Sequence, residues 1–295
     1  MRGIMFTTER KGPNPLLATS ILLLVTALVP ITGIADNHAL DARTNAAIDA
    51  AIAGDHRSER NRSRDQYRRP KETLAFLGLR SDMSVVEFSP GGGWYTEILA
   101  PALRDGGTLY APHYGANEGN YQRRSLGGFL QKLGATPDVY DQVVVTTISE
   151  SGGEPMAPLA SADLAVTFRN VHNWLEPSAG GAAGATATFA EMFRVLKPGG
   201  ILGVVEHRWP DAATEDPNAG NGYVSEDRVI ALAGAAGFEF VARADHNRNP
   251  KDTHDHPNGV WTLPPDLDAD DADKEKYRQI GESDRMVLKF RRPAN

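Results

Sequence analysis

The segment Val85-Val86-Glu87-Phe88-Ser89-Pro90-Gly91-Gly92-Gly93 sets a carboxylate shortly ahead of three consecutive glycines. Backbone without a Cβ lets a flat ligand approach closely. A helix starting after such a bend adds free N–H groups at its first turn. The chemistry this permits is nucleoside or cofactor binding through the main chain. A dinucleotide site asks for G-x-G-x-x-G or A, and for an acid at the end of the next strand. Gly91 and Gly93 satisfy the first two positions, but the third is Thr96, and Tyr110-Ala111-Pro112-His113 ends in an imidazole. A nicotinamide or flavin oxidoreductase is therefore the weaker reading.

Further along, His172-Asn173-Trp174 offers an imidazole and an amide for proton transfer or for positioning a reactant. His207 and Arg208 close a later apolar run, and the guanidinium is suited to clamping an anionic acceptor. His246, Asp252, His254, Asp255 and His256 are metal-ligand types. They alternate in a polar stretch where solvation is the commoner fate, and no metal site is expected.

These residues need a scaffold that gathers distant segments. Short apolar or β-branched runs at 83–88, 108–111, 142–148, 162–168, 201–206, 238–242 and 286–290 read as strands. Helical spacing of apolar residues covers 71–79, 94–103, 123–133 and 186–196. Ser225 can cap a helix over 226–236, which Gly237 ends. Strands alternating with helices imply an α/β, Rossmann-like doubly wound fold: a mostly parallel seven-stranded sheet with helices on both faces. Ligands in such sheets bind beyond the carboxyl ends of the strands.

The chain of 295 residues carries a net charge of -7, which argues against nucleic acid as the main partner. It has no cysteine, so disulfides, thiolate nucleophiles and a lipid-bearing cysteine are all excluded. Arg2, Arg10 and Lys11 precede an uncharged apolar run over 16–29, followed by Pro30 and the small residues around Gly33 and Ala35. That order is expected to be a removable signal peptide over 1–35, too short to span a membrane, and it implies export without lasting membrane insertion. Residues 36–69 are expected to be an N-terminal helical extension, with the Arg-dense stretch 55–69 a solvated helix or linker. The main domain then runs over 70–295, with 245–282 inserted as a loop or cap in which Trp261 and Leu263 could form a lid. The acidic run 266–273 reads as solvated surface. Nothing in the sequence encodes an oligomeric state.

Arg194-Val195-Leu196-Lys197-Pro198-Gly199-Gly200 lies between a helix and a strand, where Pro-Gly-Gly forces a tight reversal. Together with Glu87 to Gly93, in this order, it resembles the class I S-adenosylmethionine (SAM)-dependent methyltransferases. Their first motif, E/D-x-G-x-G-x-G, is matched with Ser89 in place of the first glycine, and Asp163-Leu164-Ala165-Val166 resembles their fourth strand. Tyr67-Arg68-Arg69-Pro70, Phe168-Arg169-Asn170-Val171-His172-Asn173-Trp174 and Gly281-Glu282-Ser283-Asp284-Arg285 resemble a group of often exported bacterial members.

The resemblance implies SAM as cofactor and a small-molecule acceptor. It puts Glu87, Ser89, Gly91 and Gly93 along the methionine and ribose side of SAM, and His113 where the family has an acid for the ribose hydroxyls. Asn170 would border the methyl-transfer site, with His172, Asn173 and His207 as candidate catalytic residues. The departures at Ser89 and His113, and an export signal on a protein needing a cytoplasmic cofactor, motivate a rival: an exported, non-catalytic ligand-binding protein of the same fold.

Overall fold

The structure is a computed structural model that describes residues 40–148, 153 and 155–294. The expected signal peptide lies outside the described residues, which form one compact unit. Among the described residues no helix is long and apolar enough to cross a membrane.

The strands are β1 (Ser84–Phe88), β2 (Thr108–Tyr114), β3 (Val144–Ile148), β4 (Ala162–Phe168), β5 (Leu196–Trp209), β6 (Val224–Ser225), β7 (Glu239–Ala244) and β8 (Arg285–Arg291). Seven of them form a path in the order β3-β2-β1-β4-β5-β8-β7, and the short β6 pairs with the end of β5. The first five are parallel, and β8 runs antiparallel between β5 and β7. Chain order reverses between β1 and β4, so the topological switch point lies there.

Side chains of β1 alternate between the two faces. Val85 packs with Leu74, Leu77, Ile98 and Leu99, while Val86 and Phe88 pack with Phe189, Met192 and Leu202. The first face carries α1 (Ala42–Ala53), α4 (Pro70–Leu77), α5 (Thr96–Leu103) and α6 (Asn120–Ala135), counting α2 (Glu59–Arg62) and α3 (Asp65–Arg68) between α1 and α4. The second carries α8 (Val171–Trp174), α9 (Gly181–Val195) and α10 (Glu226–Ala235), numbered after α7 (Pro137–Tyr140). Asp41 caps α1, and Ser225 caps α10 by accepting from the Arg228 N–H at 3.3 Å, as its sequence position implies.

The N-terminal helix α1 packs on the sheet's helical layer, burying Ile48 and Ala51 against the α5 face. Two local expectations change. The stretch 55–69 is solvated only in part: most of its residues are exposed or half-buried, but two of its arginines are buried. Arg57 is 1% exposed and makes a bidentate pair with Asp65 at 2.8 and 2.7 Å, while Arg68 is 3% exposed. A charge run reads as solvent-facing only while its partners are unseen, and these arginines have buried acids to pair with. The Pro-Gly-Gly segment, finally, is a bulge inside β5: Leu196 pairs with Ala162 and Ile201 with Leu164, leaving 197–200 looped out with Gly199 at φ 80°.

Candidate functional site

At the switch point the strand ends open into a cavity of about 420 Å³. The loop after β1 supplies Ser89, Pro90, Gly91 and Gly92 to its wall. The end of β4 and the turn of α8 supply Arg169, Asn170, His172 and Asn173, and β5 supplies His207. Arg285 comes from the start of β8, and Arg60, Arg64 and Arg68 from α2 and α3. Trp261, Pro264 and Pro265, from the connection between β7 and β8, complete it. The three longer segments singled out in the sequence, around Arg68, Asn170 and Glu282, converge here although they span over 200 positions.

The glycine loop is open toward this cavity. A Cβ built at Gly91 or Gly92 would meet no atom within 4 Å. Gly93 serves packing instead: its Cβ would come within 3.0 Å of the Phe129 ring. Ser89, where the related motif has glycine, takes φ 49°, a left-handed conformation that costs a non-glycine residue about 1 kcal/mol. Asn170 pins this loop to β4, its Nδ2 donating to the Phe88 carbonyl and to Thr167 Oγ1, both at 3.1 Å.

Two residues expected along the cofactor turn away from the cavity. Glu87 is buried beneath the loop and accepts from Thr96 Oγ1 at 2.6 Å, and burial pushes its carboxyl up to about 7 against that bond. His113 is 2% exposed, packs against Phe129 and meets the Gly91 carbonyl at 3.3 Å, and burial lowers its pKa. The apolar surroundings of each favour its neutral form, which needs no solvent.

The end of β5 organises the other side. Glu206 is fully buried and accepts four hydrogen bonds: from the N–H groups of Val171 (2.6 Å), His172 (3.3 Å) and His207 (2.8 Å), and from His172 Nδ1 (3.1 Å). A carboxylate holding three N–H donors is an acceptor, so His172 Nδ1 is the donor in their bond, and in the neutral ring that tautomer leaves the lone pair on Nε2. His172 Nε2 has no partner among the described residues. His207 bonds Ser283 Oγ through Nδ1, and burial, then the nearby Arg285, hold its pKa well below the usual range. Sequence reasoning named both histidines and missed Glu206. Its signal was an acid closing an apolar strand, Val204-Val205-Glu206, the same pattern as Val85-Val86-Glu87.

His172, Glu206 and His207 bring three potential metal-ligand atoms within 4.8 Å of one another. Glu206 is already saturated, however, and the charges of Arg285 and Arg169 bear on His207, so the surroundings favour an anion over a cation. The His- and Asp-rich stretch is built into the fold. Asp252, 4% exposed, accepts from Tyr223 Oη (3.0 Å), His256 Nε2 (2.8 Å) and the Asp284 N–H (2.7 Å), tying the connection to β8. That connection places Trp261 over the site, 6.0 Å from the His172 ring, while Leu263 is fully buried. Arg208 faces a different cavity and pairs with Glu226, Asp245 and Asp284, so it clamps nothing at the glycine loop.

No protein-family model and no curated protein matches this sequence. Solved structures do. A SAM-dependent methyltransferase from Aquifex aeolicus superposes with a TM-score of 0.51 at 17% identity, covering 84% of this chain and 98% of its own. The chain has the methyltransferase fold. The [4+2]-cyclase SpnF matches equally well, with a TM-score of 0.53 at 17% identity over 86% of this chain and 94% of its own. At that identity the likeness establishes the fold, and the second structure's name shows that the fold leaves the reaction open.

Proposed function

We propose that the chain is a SAM-dependent methyltransferase acting on a small-molecule acceptor. One observation carries the reading: the Gly91–Gly92 backbone lies bare against a cavity at the sheet's switch point, with no side chain filling the approach. The site fits an adenosyl ligand, because side-chain-free backbone meets enough room at the strand ends where such folds bind nucleosides.

When bound, SAM supplies an electrophilic methyl carbon. The chain's own residues do the rest. The backbone of Ser89 to Gly92 holds the cofactor, and Asn170 keeps that loop in register with β4. Trp261 and the two prolines after Leu263 wall off water. His172, oriented by Glu206, presents an unprotonated Nε2 that can accept a proton from an acceptor hydroxyl or amine at the cavity. Methyl transfer itself is a matter of in-line positioning.

Calorimetric titration of the mature chain with S-adenosylhomocysteine (SAH) tests the reading. Micromolar binding supports it, and a folded chain showing no heat and no thermal stabilisation sinks it. That second outcome favours the non-catalytic ligand-binding reading, which has its own observation: His113 is tucked under the loop and does not line the cavity. On either reading the basic start and apolar run of the chain form a removable export signal, so an intact start at Met1 in the exported protein would contradict that part.

A further inference from the structure

The part of the cavity formed by the ends of β4 and β5 and the start of β8 is crowded with positive charge. Arg64, Arg68, Arg169 and Arg285 all line it. Among the described residues one carboxylate, Glu282, forms ion pairs with the first, second and fourth of these, Arg68 at 3.0 Å. Burial raises the Glu282 carboxyl, but Arg285, Arg68, Arg64 and Arg169 together hold it well below the usual carboxylate range. The Arg169 side chain forms no hydrogen bond or ion pair among the described residues, while its backbone N–H donates to the Val205 carbonyl at 2.7 Å. It sits at φ 61°, a strained conformation for a side-chain-bearing residue. Three further nitrogens, Arg64 Nη2, Arg68 Nη2 and Arg285 Nε, are buried with no partner. Arg68 and Arg285 are 3% and 2% exposed.

Buried guanidinium donors without acceptors are costly, and a protein keeps them where something else accepts from them. Concentrating cations in one concave site of an acidic chain also focuses the field on incoming anions.

We propose that this cluster is an oxyanion subsite that takes a carboxylate or phosphate group of the methyl acceptor. The assignment to the acceptor rests on the methyltransferase reading. Arg169 adjoins Asn170 at the end of β4, and Arg285 pairs across the sheet with His207. The cluster therefore belongs to the strand ends that carry His172 and His207, whereas the bare backbone belongs to β1. An acceptor anchored by its anion would be delivered beside the His172 imidazole. Planar guanidiniums suit this task because they bind oxyanions bidentately.

The test uses the mature chain with inorganic phosphate, acetate, SAH and 5′-methylthioadenosine, which lacks the amino-acid part of SAH. Phosphate or acetate is expected to bind and stabilise the chain, less so as ionic strength rises. Arg169→Gln removes a side chain with no internal partner, so the melting temperature without ligand should hold. The variant should weaken anion binding by about 10- to 100-fold, the scale of a lost charge-assisted hydrogen bond, while SAH binds as before. Absence of anion binding to the wild-type chain overturns the subsite whatever SAH does. If Arg169→Gln weakens SAH about tenfold but spares 5′-methylthioadenosine, the cluster holds the cofactor's carboxylate and the acceptor assignment is overturned. Anion binding through Arg169 in a chain that ignores SAH upholds the subsite and removes the methyltransferase reading alone.

Discussion

The two sides of the cavity recognise by opposite means. Around β1 and β2 the surface offered is main chain: Gly91 and Gly92 are bare, and the polar side chains nearby, Glu87 and His113, turn inward into environments that favour their neutral forms. Around β4, β5 and β8 the surface is side-chain charge, with four arginines and several donors left without acceptors. Backbone reads shape and tolerates an uncharged, flat group, whereas guanidiniums select an anion. A ligand pair made of an adenosyl cofactor and an anionic acceptor matches that division, and a single dinucleotide does not require it.

The largest expected effect comes from breaking the charged side. Glu282→Gln leaves Arg64, Arg68 and Arg285 without their shared buried counter-charge and should cost about 3–5 kcal/mol in chemical denaturation. Because the folded-state pKa of Glu282 is depressed, its contribution is present above the ordinary glutamate range and is lost as pH falls toward the lower folded value. Wild type should therefore approach the variant's stability in acid. Equal stability at neutral pH would show that the arginines do not depend on this acid.

The next effect sharpens the backbone side. Gly92 needs no left-handed conformation, and a Cβ there points into open space. Gly92→Leu should leave stability within about 0.5 kcal/mol and cut SAH affinity by about 100-fold, or about 2.7 kcal/mol. Unchanged affinity would remove the bare backbone from the binding surface. The smallest effect concerns Glu87, whose folded-state pKa is raised to about 7. A raised carboxyl favours the protonated fold, so stability is fully present below about 4.5 and is lost as pH rises through 7. Glu87→Gln mimics the neutral form and keeps a partner for Thr96. Thermal unfolding should show it more stable than wild type by about 2 kcal/mol at pH 6 and indistinguishable at pH 4. A variant destabilised at both would mean that the ionised acid is what this side requires.

The backbone side was the legible one. The glycine loop occupies consecutive positions, and the strand carrying it is an apolar run buried on both faces. The seven main strands follow from runs of the same kind, with errors confined to their ends, as where β2 continues through the expected stop to Tyr114. Ser89 and Asn170 likewise line the cavity where their motifs put them. The charged side was hidden. Arg64 and Arg68 read as solvated because their acid lies 218 and 214 positions away. Arg208 looked like the anion clamp because it closes the apolar run of β5, yet three acids close to it in space neutralise it.

The amino-acid sequence by itself determined the order of strands and helices and the position of the side-chain-free bend, because periodicity and backbone freedom are properties of neighbouring residues. Tertiary structure alone decided which arginines are paired, which are left over and which histidine is oriented by Glu206. Those outcomes depend on distances through space, and a Coulomb interaction takes no account of separation along the chain.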